Sequence, residues 1–525
     1  MSAALVLKDA NVITMERAER VPYAQAVAVD EGRIVAVGTD DEIEPLIGSG
    51  TKVLSLQGKT VMPGFIDTHI HFMETGLSGL GPGAYGVTST EQVVEILVDA
   101  GRRSETDQLV WIRGCRIGEL DRPLTAKEVD RAAPQNPVVI PGLGGHSFVL
   151  NTQAWDSLGM SADTPGVRID PDTGKPTGML VGEANSLARF HFYSMMEDST
   201  RVAAFYRGAE MAAQAGLTTV HALEGGSPDG HGWVPERDVE VLLRERENLL
   251  IRTVVYFQST RVQRALDLGL PRIGGCLLVD GAYAEHTAAL LEPYTDDETT
   301  KGVLYFSDEE LNDFVGRAHR AGLQVSMHAI GDAAIEQLLN AYEHALAEYP
   351  RPDHRHRIEH FSLPTPEHVE RAAGLGVALG MQPIFASMPK AGEAGSQPPG
   401  LEFLGPERYA RRHPYRTIVD AGIMVAGGSD SEKKPESPMV GIHAVVNHPD
   451  EERRLTVMEA LSLFTTNAAK IAFEEGEKGS IEPGKLADLV ILGGDPLTAD
   501  LRTLEDIPVL MTIVGGEIAY HSHLA

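Results

Sequence analysis

The chain has 525 residues, 42% hydrophobic and 23% charged, an ordinary globular composition with enough apolar material for a large core and for more than one structural unit. Its net charge is −30, from 45 basic and 75 acidic residues, spread along the chain. That argues against nucleic acid or an anionic membrane as partner. Two cysteines, Cys115 and Cys276, exclude a disulfide framework and suit a reducing, cytoplasmic setting. No run reaches the length of a membrane span, and MSAALVLKDA lacks the basic-then-apolar pattern of a secretion signal.

In chain order, residues 1–60 read as short strands. Ala24–Val29 and Arg33–Val37 flank the turn residues Glu31 and Gly32 as a hairpin, and Val53–Leu56 forms another strand. The C-terminus repeats the style, with strands at 487–492 and 511–520 and a turn at Gly515-Gly516. Neither end holds enough strands for a sheet of its own, so residues 1–60 and 479–525 are expected to pair into one small β-domain.

Between them, strand-like runs alternate with helical ones, the pattern of an α/β fold. The strands are expected at 63–72, 217–223, 252–257, 275–280, 323–328, 356–360, 376–381 and 422–430. Eight of them suggest a closed (β/α)8 TIM-like barrel over 61–74 and 211–478. Helix starts are legible at Ser307/Glu310 and Thr456/Glu459 as capping boxes, and at Thr365-Pro366; Gly322 closes the first of these helices. Residues 75–210 are set aside as an insertion with strands of its own at 109–113 and 138–140. On a βα loop, such an insertion lies over the mouth of a barrel and shapes its pocket.

The chemistry centres on His69 and His71. Positions i and i+2 of a strand point to one side, so the two imidazoles can share a divalent cation. Barrel enzymes carry their chemistry at the C-terminal ends of the strands. His69 and His71 on the first strand, His328 on the fifth, His360 on the sixth and Asp430 on the eighth all fall at that rim. Together they make a candidate site for zinc or a similar divalent metal.

Several stretches carry a family resemblance: Pro63 through Phe72, His328-Ala329-Ile330-Gly331-Asp332, Arg357-Ile358-Glu359-His360, Gly428-Ser429-Asp430, Asn467-Ala468-Ala469, and Gly479 through Val490. In the insertion, His146 through Asn151 and Asp172 through Gly178 join them. The chain resembles the amidohydrolase superfamily, and within it the YtcJ-like branch (amidohydrolase family 3) that includes N-substituted formamide deformylases. The resemblance implies the barrel, a β-sandwich built from both termini, and one or two metal ions per chain. It implies that His69 and His71 hold one ion, that His328 and His360 hold a second or support the first, and that Asp430 binds metal and takes a proton from the bound water.

The implied activity is hydrolysis of an amide-type C–N bond, N-formyl, N-acyl or related. A deaminase or a cyclic-amide hydrolase acting on a heterocycle is the alternative. A non-catalytic protein on the same fold would have lost ligand residues, and all five positions are present. A small-molecule substrate is expected, with a homodimer as a further possibility.

The sequence departs from the branch at one position. Four residues before Asp280, many members carry a lysine whose carboxylated form bridges two metals; here Cys276 stands there. Cys276 could bridge as a thiolate, Glu224 at the end of strand two could bridge instead, or the site could be mononuclear with Cys276 a buried small hydrophobe. Asp280, His286 (where the branch often has arginine) and His146 in the insertion are candidate substrate contacts. His221 reads as a supporting or core residue, Cys115 as structural, and His521 and His523 as an exposed end.

Overall fold

A computed structural model describes residues 2–16, 23–142, 145–226, 235–386, 400–431 and 437–523. Eight parallel strands form its central sheet: β1 (Phe65–Ile70), β2 (Leu217–Glu224), β3 (Arg252–Phe257), β4 (Arg272–Ile273), β5 (Gln324–Ala329), β6 (Arg357–His360), β7 (Ala378–Met381) and β8 (Val425–Gly427). Each pairs with its neighbour in sequence. The ring closes just past β8, where the Asp430 N–H donates to the His69 carbonyl at 2.8 Å and Ile70 and Ser431 form a parallel bridge. Gly428 permits that closure, because a Cβ there would stand 2.6 Å from the His69 Cβ and backbone nitrogen.

The strands are buried on both faces, as parallel strands under a coat of helices must be. The helix Asp308–Arg320 shows how the sequence makes that coat. The Ser307 hydroxyl accepts from the Glu310 N–H at 3.3 Å while Glu310 reaches back to the Ser307 N–H. Losing such a cap costs about 1 kcal/mol. Leu311, Phe314, Val315 and Ala318 make one buried stripe at helical spacing. Capping boxes also open the helices Pro366–Leu375 and Val457–Leu463.

Two expectations are corrected. The run 275–280 is not the fourth strand. That strand is the short Arg272–Ile273, and it ends at Gly274 and Gly275, whose φ angles are 95° and 60°. The left-handed pair is needed because a Cβ on Gly274 would lie 2.1 Å from the Ser326 carbonyl oxygen. Residues 276–280 therefore leave the sheet as an irregular segment, tied back by a bridge from Leu278 to His328. The first strand is also shorter than 63–72. Thr60–Pro63, expected in part within the barrel, pairs antiparallel with Leu489–Leu492 in a different sheet.

That second sheet has six strands, in the order Glu517–His521, Val509–Val514, Leu489–Leu492, Thr60–Pro63, Asn11–Ile13 and Tyr23–Ala24, so both ends of the chain contribute to it. A four-stranded sheet of Arg33–Gly38, Ala26–Asp30, Leu5–Lys8 and Lys52–Ser55 packs on it. Leu5, Leu7, Val27, Val29 and Ile34 meet Val12, Val61, Leu489, Ile491 and Ile513 in one buried cluster. This is the β-sandwich built from both termini. His521 and His523 are exposed at its end.

The inserted segment carries a five-stranded sheet, Val167–Ile169, Pro176–Val181, Ser147–Leu150, Val138–Pro141 and Val110–Trp111. Cys115 is buried in the apolar cluster beneath it. A buried cluster anchors the insertion to the barrel: Glu74, just after β1, pairs with Arg113 at 2.9 Å and Arg189 at 3.0 Å. Among the described residues, no helix is long and apolar enough to cross a membrane.

Candidate metal centre

The C-terminal ends of β1, β5, β6 and β8, and the segment after β4, converge on a cavity of about 230 Å³. His71, His146, Cys276, His328, His360 and Asp430 all line it. His69, fully buried, is in contact with these residues, its Nε2 near Asp430. Two groups of ligand atoms are close enough to share an ion: His69, Cys276 and His360, and His69, His71 and Asp430.

Asp430 Oδ1 lies 3.3 Å from His69 Nε2 and 3.4 Å from His71 Nε2. Cys276 Sγ lies 3.7 Å from His328 Nδ1 and 3.8 Å from His360 Nε2. The rings of His328 and His360 are 4.4 Å apart, and those of His69 and His360 4.8 Å. Cys276 thus stands between the two pairs of histidines.

Backbone conformation sets these directions. His360 has φ 70° and Asp430 φ 52°, a region that non-glycine residues visit rarely and that clusters at functional sites. At the end of β6 the turn breaks the alternation of the strand. Glu359 and His360, though adjacent, both reach the site: Glu359 Oε2 touches His69 Nδ1 at 2.6 Å, and His360 Nε2 faces Cys276.

The imidazoles are fixed from behind. Glu359 accepts from His69 Nδ1 and is paired with Arg357, whose Nε is 2.8 Å from Glu359 Oε1. His360 Nδ1 meets Gln382 Oε1 at 2.8 Å. His328 Nε2 meets the Gly281 carbonyl at 3.2 Å, with Asp280 Oδ1 3.5 Å away. Asp67 Oδ1 accepts the N–H groups of His69 and Ser429 at 3.0 and 2.9 Å, tying β1 to the end of β8. Burial, offset in part by these bonds, pushes the Asp67 carboxyl up to about 6.

Electrostatics bind the cluster together. Burial disfavours charge on every group, yet the His69 charge and the imidazoles around Cys276 hold its thiol well below its ordinary value. The His69 and His71 imidazoles beside it likewise hold Asp430 well below the carboxylate range. Burial opposes charge on His71 too, but Asp430 and the Cys276 thiolate raise it to about 10. His146 is the contrast: burial, then the neighbouring His328 charge, drops it to about 3, so it is neutral at physiological pH.

These residues fit a divalent cation. His69 Nε2 is buried and makes no hydrogen bond, a costly condition that an ion would relieve. With Nδ1 engaged by Glu359, Nε2 is the nitrogen left to coordinate. Imidazole, carboxylate and thiolate together form a donor set suited to zinc and its neighbours. A bound cation would also replace the protons that now neutralise Asp430 and Cys276.

Other expected residues lie elsewhere. Glu224 belongs to neither ligand group; its Oε1 accepts the Met73 N–H at 2.8 Å, and burial pushes it up to about 8. Asp280 is buried beneath the site, accepting the N–H groups of Ala289, Ile330 and Gly331 at 2.8 to 2.9 Å. It orients a loop and His328 rather than lining the cavity. His286 points away, 2.9 Å from Asp296 and packed on Tyr294. His221 is buried, 3.2 Å from Arg357.

Sequence reasoning assigned no role to Glu359, Gln382, Arg412 or His413. Glu359 had a signal, the buried acidic residue beside His360 in Arg357-Ile358-Glu359-His360. Arg412 and His413, on the cavity wall, had none, since they follow a helix far from any motif.

Comparison with known proteins agrees with this architecture. The Amidohydrolase family model matches residues 52–520. YtcJ of Bacillus subtilis (strain 168) is 29% identical over 94% of this chain and 96% of its own. The N-substituted formamide deformylase of Arthrobacter pascens is 29% identical over 98% of both chains. The crystal structure of an uncharacterized metal-dependent hydrolase from Pyrococcus furiosus superposes with a TM-score of 0.73 at 26% identity, covering 94% of this chain and all of that one. With the barrel, the sandwich and the histidine-rich rim in place, the match over most of the sequence makes this chain a member of the amidohydrolase family.

Proposed function

We propose that the protein is a metal-dependent hydrolase of an amide-type C–N bond, such as an N-formyl or N-acyl amine. The observation that carries this reading is the meeting of His71, Cys276, His328, His360 and Asp430 around one cavity, with the buried His69 grouped with them. The names of the relatives point the same way, one a formamide deformylase and another a metal-dependent hydrolase.

His69, His71, His328, His360, Asp430 and Cys276 would hold one or two ions, with zinc the best match to a donor set containing thiolate. When bound, a divalent ion lowers the pKa of coordinated water toward neutrality and polarises a carbonyl oxygen. The chain's own residues do the rest. Asp430, held anionic by His69 and His71, is the base that takes a proton from the attacking water and returns it to the leaving nitrogen. That return matters because an amine leaves poorly unless protonated. His146, neutral at the edge of the cavity, can hydrogen-bond the substrate without adding charge. Glu359 and Gln382 keep the imidazoles oriented.

The test is to strip the purified protein with a chelator, reload it with zinc, and assay N-formyl and N-acyl amines beside heterocyclic ring amines. Activity that is lost on stripping, returns with zinc and releases a carboxylic acid is the expected result. Release of ammonia from the ring amines alone would favour the deaminase alternative. Full activity in metal-free protein would end the reading.

A further inference from the structure

The cavity wall holds an arginine that the hydrolytic reading does not use. Arg412 lines the cavity with Tyr283, Ser362, Phe385 and His413. It is only 8% exposed, yet it has no ion pair among the described residues, and its Nε makes no hydrogen bond. Its guanidinium stacks 3.9 Å from the centre of the Tyr409 ring, which satisfies one face and leaves the hydrogen-bonding edge without an anion among the described residues. Beside it His413, 7% exposed, has a buried Nδ1 that also lacks a hydrogen-bond partner among the described residues.

A buried cation without a counter-ion is unfavourable, and natural proteins pair such groups. The other buried arginines among the described residues obey that rule: Arg113 and Arg189 pair with Glu74, Arg201 with Asp238 and Arg357 with Glu359. Arg412 has no such partner among the described residues, and it lines a cavity where a small molecule could supply the anion. A planar guanidinium fork matches a carboxylate in two parallel hydrogen bonds.

We propose that Arg412 binds a carboxylate on the substrate, so that the amide cleaved belongs to an N-acyl or N-formyl amino acid or a similar acid rather than to a neutral amine. This rests on the reading of the cavity as a hydrolase site. It assigns Arg412 as a specificity-determining residue for the group attached to the leaving nitrogen. Hydrolysis then adds water across the C–N bond: the acyl carbon takes the hydroxyl, the nitrogen takes the proton, and the product amine keeps its carboxylate.

The test uses the full-length, zinc-loaded protein and two substrates that differ only in the carboxylate, N-formylphenylalanine and N-formyl-2-phenylethylamine. Wild type is expected to favour the acid in kcat/KM. Arg412→Gln should lower the ratio of the two kcat/KM values by roughly 10- to 100-fold, the worth of hydrogen bonds to a charged group, mainly through KM. Arg412→Lys, which keeps the charge but not the fork, should recover part of the ratio. A wild-type enzyme that hydrolyses the neutral amide as well as the acid, or an Arg412→Gln ratio equal to that of wild type, overturns the proposal.

Binding separates this inference from the hydrolytic reading. Calorimetry compares 3-phenylpropionate with 3-phenylpropanol, neither of which has an amide to cleave. Tighter binding of the acid to wild type, weakened in Arg412→Gln and partly restored in Arg412→Lys, supports the anion site even if no amide is turned over. Equal binding of acid and alcohol to wild type removes it even if amides are hydrolysed.

Discussion

Glu359 Oε2 lies 2.6 Å from His69 Nδ1, and this contact decides which nitrogen of His69 faces the cavity. Glu359 is itself held by Arg357, which also donates to the Thr68 carbonyl at 2.8 Å. One carboxylate therefore links three features of the barrel interior: the tautomer of His69, the buried charge of Arg357 and, through the short Ser326 hydrogen bond, the neighbouring strand β5.

Glu359→Gln keeps the shape but cannot hold the Nδ1 proton as strongly. Metal affinity is expected to fall by about 10- to 100-fold, as when other residues supporting a metal-bound histidine are changed. Titration with zinc against a competing chelator checks this. An unchanged affinity would mean that Glu359 serves only to neutralise Arg357.

Cys276→Ser tests the thiolate. If Cys276 is the shared ligand, metal content falls, because a hydroxyl is a far weaker ligand than a thiolate. Glu224→Gln is the matched control. Glu224 accepts the Met73 N–H outside both ligand groups, and a glutamine oxygen can still accept that bond, so metal content should hold. Elemental analysis of the three proteins prepared side by side gives the answer; the opposite pattern would move the bridge to Glu224.

Asp430→Asn removes the base and leaves the shape. Turnover is expected to drop by roughly 10²-fold or more, the usual loss for general acid–base groups, with substrate binding largely kept. Stopped-assay kcat and KM values on the best amide substrate decide it. A variant with near-normal kcat would show that another group moves the proton.

Glu224 also carries a pH signature. Burial raises its carboxyl from 4.5 to about 8, so the folded protein holds this proton more tightly than the unfolded chain does. The sign follows from linkage: this stabilisation is complete below pH 4.5 and is lost as pH rises through 8, at up to roughly 1.4 kcal/mol per pH unit. Thermal denaturation of wild type and Glu224→Gln at matched metal content, from pH 5 to 8, should show wild type losing stability faster on the way up. Parallel curves would show that Glu224 is ionised in the fold.

Much of this protein was legible in one dimension. The hairpin turn at Glu31 and Gly32, the capping boxes at Ser307 and Thr456, and seven of the eight barrel strands are local signals: alternation, turn chemistry and caps act over a few residues. His69-x-His71 was legible for the same reason, since a strand brings i and i+2 to one side. The histidines and aspartate at strand ends needed only the count of strands to be placed on one rim.

What lay beyond the sequence was decided by packing at a distance. The fourth strand stops at Ile273 because Gly274 must pass within reach of the Ser326 carbonyl, a contact across 52 positions that leaves no mark in residues 275–280, which look like a strand. On paper a Cys276 bridge, a Glu224 bridge and a mononuclear site with Cys276 as a small hydrophobe were all open. Only the loop after β4 swings Cys276 between His328 and His360, while the turn into residue 73 captures Glu224. Arg412 has no motif, and only the tertiary structure places it, buried and without an ion pair among the described residues, on the cavity wall. Local sequence set the scaffold and the first candidate ligands. The irregular segments between strands, whose directions depend on distant neighbours, chose which donors meet the cavity.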